Sequence, residues 1–248
     1  VLLAGALTTG VLLRRVALRS GVTDGEVHAS LPGDEILPHA MVEWTRGTTI
    51  QATPSQIWPW LVQMGYGRGG WYTNLRVDHL VWGTDTKNAD EIVAEFLDLT
   101  VGDVVPDGPE LAAYFWVRRF DPNHAIVYHS IRHPFRSHPI GPADPADLVA
   151  REQELIDGGT YLDFSWAFVL QPNGPEGTRL LIRTRADYAP KEMGLAGLPF
   201  GLVDAYHTHT MLRGIRRRAE AHASSDRTVG WERQPVLSRA LGSQRRSA

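Results

Sequence analysis

The chain contains no cysteine. That excludes disulfides, thiolate metal sites and a cysteine nucleophile, and it leaves the redox compartment open. Lysine is nearly absent too, present only at Lys87 and Lys191, so arginine carries the positive charge; genomic base composition is the first reading of that bias. Neither sign of charge dominates. The 25 Lys and Arg against 28 Asp and Glu leave a formal net charge of −3, which does not suggest a nucleic-acid partner. No apolar run approaches the length of about 20 residues that a full membrane span needs. There is no internal repeat. No GxSxG or HExxH is present, and the one glycine-rich stretch lacks the Lys-Ser/Thr of a phosphate loop.

What remains is enough for a substantial core. The chain has 248 residues, 43% of them hydrophobic, with eight tryptophans, so it can form one large domain or two small ones. Its organising stretch is TPSQIWPWLVQMGYGRGGWY, Thr53–Tyr72. Thr53 can cap a helix whose first position takes Pro54. Ile57, Trp58, Leu61, Val62 and Met64 then form an apolar stripe, with Pro59 as an early kink. Gly65, Gly67, Gly69 and Gly70 stop the helix and free the backbone to turn. Arg68 sits among them, and Trp71 and Tyr72 follow. Large rings beside flexible backbone suit the mouth of an apolar cavity; a plain helix stop and tight turn is the simpler reading.

Before this stretch, Val1–Leu13 is apolar and is followed by Arg14, Arg15 and Arg19. Two readings stand: the end of a transmembrane helix, or a short helix packed on the domain or on a membrane surface. The arginines follow the apolar run, which argues against a secretory signal and, by the positive-inside rule, puts the remainder in the cytoplasm. Gly21–His39 reads as an extended arm, so that residues 1–40 form an apolar segment and arm, 41–222 the domain and 223–248 a basic disordered tail.

Within the domain, Met41–Ala52 is the first strand. Leu75–Trp82 and Ala89–Leu97 read as short helices, and Val101–Pro106 as a short strand. Tyr114–Phe120 and Ala125–Ile131 read as a hairpin closed by DPNH. His133–Pro145 has four prolines and no periodicity, as a lid, binding loop or insert would, and Ala146–Ile156 carries a short helix. Tyr161–Leu170 alternates, with Phe164, Trp166, Phe168 and Leu170 on one face. Arg179–Asp187 alternates likewise, with Arg179, Arg183 and Arg185 opposite Leu180, Ile182, Thr184 and Ala186. The pair predicts a half-buried antiparallel hairpin. Leu198–His222 predicts a long helix whose buried face is Gly201, Ala205, Thr208, Met211, Leu212, Ile215 and Ala219. The small residues at its start either let the helix approach a sheet or leave room for a ligand. Arg213, Arg216, Arg217 and Glu220 lie on the opposite side, and Arg213 with Arg216–Arg218 reads as a solvated face or, more sharply, a membrane-facing basic patch.

Catalytic candidates are weak. His207 and His209 are two apart on a helix and diverge; His124, His129, His133 and His138 fall on a turn, a strand and a loop without ligand spacing, so no metal or other cofactor is expected. Asp78–His79 is a possible acid–base couple. Arg68 can meet a ligand carboxylate or phosphate, or pair with Asp78 or Asp103.

The segments ATPSQIWPWLVQMGYGRGGWY, VGDVVP (Val101–Pro106), SWAFVLQP (Ser165–Pro172) and TRLLIRTR (Thr178–Arg185), preceded by LPGDEILP (Leu31–Pro38), resemble the SRPBCC family, in a bacterial branch of it. The resemblance covers about Leu31 to His222. It implies an α+β, START-like helix-grip fold: a curved antiparallel sheet wrapped around a long C-terminal helix, with an apolar cavity between. Members bind lipids, sterols, polyketides or hormones, and some are cyclases, hydrolases or dehydratases. No shared catalytic constellation exists to carry over. On this basis Arg68, Trp71, Tyr72, Trp82, Phe115, Tyr128, Trp166, Phe168, Ala205 and Thr208 are expected to line a site for a hydrophobic or amphipathic small molecule, with plain core packing as the alternative reading of the aromatic residues. An enzyme on the same scaffold and a cavity-free interaction module are the alternatives, and the oligomeric state is left open. Trp166 and Phe168 are expected to face Gly201, Ala205 and Thr208 across empty space.

Overall fold

The structure is a computed structural model and describes residues 19–82, 87–136, 140–141 and 143–232, with side chains 78, 80–82, 195–200 and 226–232 outside that description. The Val1–Leu13 segment, His138 and the tail beyond residue 232 therefore lie outside the described residues. Among those residues no helix is long and apolar enough to cross a membrane.

The chain folds as α+β. Strand β1 (Arg19–Ser20) and helix α1 (Asp24–His28) precede β2 (Val42–Ile50), α2 (Pro54–Val62) and α3 (Leu75–Trp82). Strands β3 (Val104–Pro106), β4 (Tyr114–Asp121) and β5 (Ala125–Arg132) follow, then α4 (Pro145–Asp157), β6 (Tyr161–Pro172), β7 (Thr178–Ala189) and α5 (Gly197–Glu232). The seven strands form one curved sheet in the order β1-β2-β7-β6-β5-β4-β3. Every pairing is antiparallel except that of β1 with β2. Helices α2 and α5 lie on its concave face.

Alternation decides which side chains meet those helices. Ile126, Tyr128, Trp166, Phe168, Leu170, Leu180 and Ile182 share one core with Ile57, Leu61 and Met64 around α2 and with Met211, Leu212, Ile215 and Ala219 of α5. The helical face expected for α5 is the buried one throughout, from Gly201 to Ala219. Each of its fully buried large residues contributes roughly 1.5–3 kcal/mol relative to exposure.

The convex face differs from the half-solvated one expected. Leu31, Val22 and Ile36 of the N-terminal arm cover Ala125, Val127, Ala167, Val169 and Leu181. The arm is held by the arginines of β7. Arg183 donates to Ala29 O (2.7 Å), Val27 O (2.8 Å), Glu26 O (3.0 Å), Asp34 Oδ2 (2.9 Å) and Thr45 Oγ1 (3.0 Å), and is only 2% exposed. Arg179 pairs with Glu26 and Arg185 with Glu43. A charged alternation looks solvated in sequence because the covering segment lies about 150 residues away.

Two further expectations change. Residues 89–97 form only one 3-10 turn, Ala94–Phe96. The Gln63 side chain explains it, accepting from Val93 N (3.0 Å) and donating to Glu91 O (3.2 Å), which holds that backbone away from a helix. Helix α5 continues to Glu232, into the stretch read as a disordered tail. Ala223 is buried and His222 meets Trp60 edge-on at 6.3 Å, so α2 supports the extra turns.

Candidate functional site

The glycine loop builds one side of the site. Gln56 Oε1 accepts from Thr53 N at 3.1 Å, so α2 starts at the capped position read from the sequence. The loop after it closes on itself through Gly65 N to Gly70 O (3.2 Å) and Gly70 N to Gly65 O (3.0 Å). Gly70 has φ 74°, and a Cβ there would collide with the Lys87 carbonyl, so only glycine fits. Arg68 spans the loop. Its guanidinium donates to Met64 O (3.1 Å), Val62 O (3.1 Å) and Phe96 O (2.6 Å) and lies over the Phe96 ring. It thus satisfies carbonyls at the end of α2. No hydrogen bond joins it to Asp103, which acts on it only through its field, and burial pulls its pKa down. The Asp78 side chain lies outside the described residues, while its neighbour His79 is exposed.

The loop delivers Trp71 to the concave face. There its ring meets Trp166 (5.3 Å between centroids), Phe115 (5.6 Å) and Tyr128 (6.2 Å). Trp166 also touches Phe115 (5.5 Å) and Phe168 (4.9 Å). Six of the residues expected from the sequence are thereby gathered: five in this ring cluster, and Tyr72 beside it against Trp60. Within the cluster, Trp71 Nε1, Tyr128 Oη and Trp166 Nε1 are buried and have no hydrogen-bond partner among the described residues. Burial pushes the Tyr128 phenol well above its ordinary pKa, with the Arg68 guanidinium opposing. The phenol therefore stays neutral and can donate.

Tyr72 takes a left-handed backbone conformation, φ 58°, at a strain of order 1 kcal/mol or more. Three partners hold it. Asn88 Oδ1 accepts from its N–H (2.8 Å), Gln63 Nε2 donates to its hydroxyl (2.7 Å), and Arg218 lies 4.8 Å over its ring. Gly214 of α5 packs on its backbone so closely that a Cβ would clash.

The small start of α5 meets a charge. Arg46 projects inward from β2, fully buried, and is ion-paired to Asp204. It also donates to Thr208 Oγ1 and Gly201 O, both at 3.3 Å. Burial depresses its pKa while Asp204 opposes that. Gly201 and Thr208 thus border a guanidinium, and the ring facing Trp166 is Trp71. Sequence reasoning missed Arg46 and Gln63, and it read Arg218 as part of an outward-facing basic patch, whereas the structure buries it over the Tyr72 ring. A signal for the first existed: strand alternation puts Arg46 on the same face as Trp44 and Thr48. The side chain of Trp82 lies outside the described residues.

Two concavities open on this region. One, about 590 Å³, is bounded by Tyr66, Gly67 and Arg68, by Pro106 and Gly108, by Glu110 and Leu111, and by Gly141. It joins the glycine loop to the edge of β3 and to the insert after β5, and both Glu110 and Leu111 there have positive φ. The other, about 550 Å³, lies between α5 and the Tyr72–Asn74 turn.

The histidines separate. His207 is half-buried and His209 exposed. His129 is buried on the convex face, 2.7 Å from Asp163 through Nε2. Above it on α4, Glu152 accepts from Trp116 Nε1 (2.8 Å), and burial raises its carboxyl pKa. Among the described residues no group of three or more His, Asp or Glu is arranged to hold a metal.

No protein-family model and no curated protein matches the chain. Solved structures similar to it include a hypothetical protein of Helicobacter pylori, at 9% identity and TM-score 0.40, covering 81% of this chain and 99% of that one. CalU16 of Micromonospora echinospora is 13% identical with TM-score 0.31, over 73% and 86% of the two chains. A point mutant of Thalictrum flavum norcoclaurine synthase in complex with a transition-state analogue is 15% identical with TM-score 0.33, over 68% and 94%.

Proposed function

We propose that the chain binds an amphipathic, ring-bearing small molecule with hydrogen-bond-accepting oxygens, between the concave face of the sheet and the glycine-loop residue Trp71. The observation that carries this reading is the trio of partnerless buried donors, Trp71 Nε1, Tyr128 Oη and Trp166 Nε1, in one ring cluster. A buried polar group left unpaired costs about 1–3 kcal/mol, and native proteins leave few of them. Three set around the Trp71 ring, which meets both Tyr128 and Trp166, give a surface that is apolar in area and donating at a few points, the usual make-up of a small-molecule site.

Trp71 is the member of the cluster carried by a loop. Its neighbours Phe115, Tyr128 and Trp166 stand on adjacent strands. The concavity beside Arg68 is lined by the same loop, at Tyr66, Gly67 and Arg68, and is the approach that this reading assigns to a ligand. The cluster's phenol is held neutral by burial, in the form that donates a hydrogen bond to a ligand oxygen.

The test is native mass spectrometry of protein purified from cells. Wild type is expected to carry a noncovalent small molecule and to lose it in the Tyr128→Phe, Trp166→Phe double variant. A wild type that carries no such mass and does not bind anilinonaphthalene sulfonate overturns the reading.

A further inference from the structure

Helix α5 turns its arginines toward the second concavity. Arg213, Arg216, Arg217 and Arg218 all border it, with Glu220, Asn74 and Asn88. Arg213 precedes Arg216 and Arg217 by three and four residues, so their stems rise from neighbouring positions on one helix face. Like charges so placed repel, and this chain concentrates them while carrying a net charge of −3.

The acids nearby do not balance them. Asp90 pairs with Arg218 (2.6 Å) and lies 3.5 Å from Arg217, and Glu220 accepts from the Gln51 backbone. Four guanidinium groups thus meet two carboxylates. Among the described residues neither Arg213 nor Arg216 has a carboxylate partner.

The floor of the concavity is rigid. Arg218 is nine-tenths buried and donates to Ala89 O (2.6 Å), Asp90 Oδ1 (2.6 Å) and Gly214 O (3.3 Å). Asn88 fixes the turn from both sides, accepting from Tyr72 N (2.8 Å) and donating to Thr73 O (2.9 Å). The floor fixes where the stems of the exposed arginines start, which lowers the cost of gathering them on an anion. A volume of about 550 Å³ exceeds that of a simple ion and falls in the range of small-molecule sites.

We propose that this concavity binds a phosphate-bearing group, with Arg213 and Arg216 as the free forks that take its oxygens and Arg217 and Arg218 completing the positive wall. Guanidinium forks match phosphate oxygens in pairs, and each such charged contact is worth roughly tenfold in affinity. The group can belong to a soluble phosphorylated metabolite or to a phospholipid head. This site is separate from the aromatic cluster, and its fate does not decide the ligand-binding proposal above.

The experiment titrates the full chain with inorganic phosphate and glycerol 3-phosphate by calorimetry. In parallel it co-sediments the chain with phosphatidylcholine vesicles with and without phosphatidic acid. Saturable binding of one soluble phosphate per chain, or sedimentation only when phosphatidic acid is present, is the expected result and tells the two sources apart. Arg213→Ala with Arg216→Ala, both exposed, is expected to weaken binding by about tenfold or more. Arg136→Ala, an exposed arginine elsewhere, is expected to leave it unchanged. Absence of binding to every probe, or equal weakening by Arg136→Ala, overturns the proposal.

Discussion

Removing the carboxylate of Asp204 should unfold the grip of α5 on the sheet more readily than removing the whole Arg46–Asp204 pair. Arg46 is fully buried, and its charged neighbour is Asp204, whose side chain is 21% exposed. Two neutral oxygens, Thr208 Oγ1 and Gly201 O, and the Trp44 ring supply further support. Asp204→Ala leaves that cation buried without its carboxylate, a loss that typically costs about 3–5 kcal/mol. Partial exposure of the Asp204 position lets water reach the guanidinium and puts the expected loss near 3 kcal/mol. For a chain of this size that corresponds to a fall in Tm of roughly 6–12 °C. Arg46→Met with Asp204→Leu removes both charges and keeps apolar volume, so the double variant should lie within about 1 kcal/mol of wild type. The assay is urea denaturation followed by tryptophan fluorescence, with the coupling taken from the cycle of single and double variants. Asp204→Ala within about 1 kcal/mol of wild type, or a double variant weaker than Asp204→Ala, would refute the claim that this pair is a buried, mutually dependent one.

Arg183→Ala removes five donated hydrogen bonds from β7 to the arm and to β2; a loss of about 3 kcal/mol or more and faster cleavage of residues 21–38 by proteinase K are expected, and an arm as resistant as in wild type would count against its being docked. Glu152 has a raised folded pKa, so the fold holds its proton more tightly than the unfolded chain does, and its contribution to stability falls as pH rises from the unfolded carboxylate value through the folded one. Glu152→Gln keeps an acceptor for Trp116 and should flatten that fall, measured as unfolding free energy at about pH 5 and about pH 8; an unchanged pH slope contradicts it. Gly214→Ala puts a methyl group into the Tyr72 backbone, and overpacking there should cost about 1–3 kcal/mol; an unaltered melting temperature would show that the α5–Tyr72 seam is looser than described.

Much of the architecture could be read from local pattern. Phe164, Trp166, Phe168 and Leu170 alternate in sequence and share the inner core, and the wheel drawn for α5 gave the buried face residue by residue. What escaped was set by distant partners. Residues 89–97 have the composition of a helix, yet the amide of Gln63 keeps all but the Ala94–Phe96 turn out of helical form. Arg183 and Arg185 look like a solvated edge until the arm is laid over them. Gly201 and Thr208 look like room for a ligand until Arg46 is placed between β2 and α5. Of the site, the rings of the cluster were legible because large apolar residues in alternating strands seek the interior. Their unpaired donors were not, since pairing depends on what each polar tip meets in three dimensions.

The ligand-binding claim meets its most direct test in the indole N–H signals of Trp71 and Trp166. In protein labelled with nitrogen-15 at tryptophan, each signal is assigned by a Trp→Phe variant and followed while anilinonaphthalene sulfonate is added. Binding at the cluster should move the Trp71 and Trp166 signals together to saturation, and Tyr128→Phe should weaken the titration. Signals that stay fixed while the dye binds would place binding away from the cluster and contradict a ligand site there.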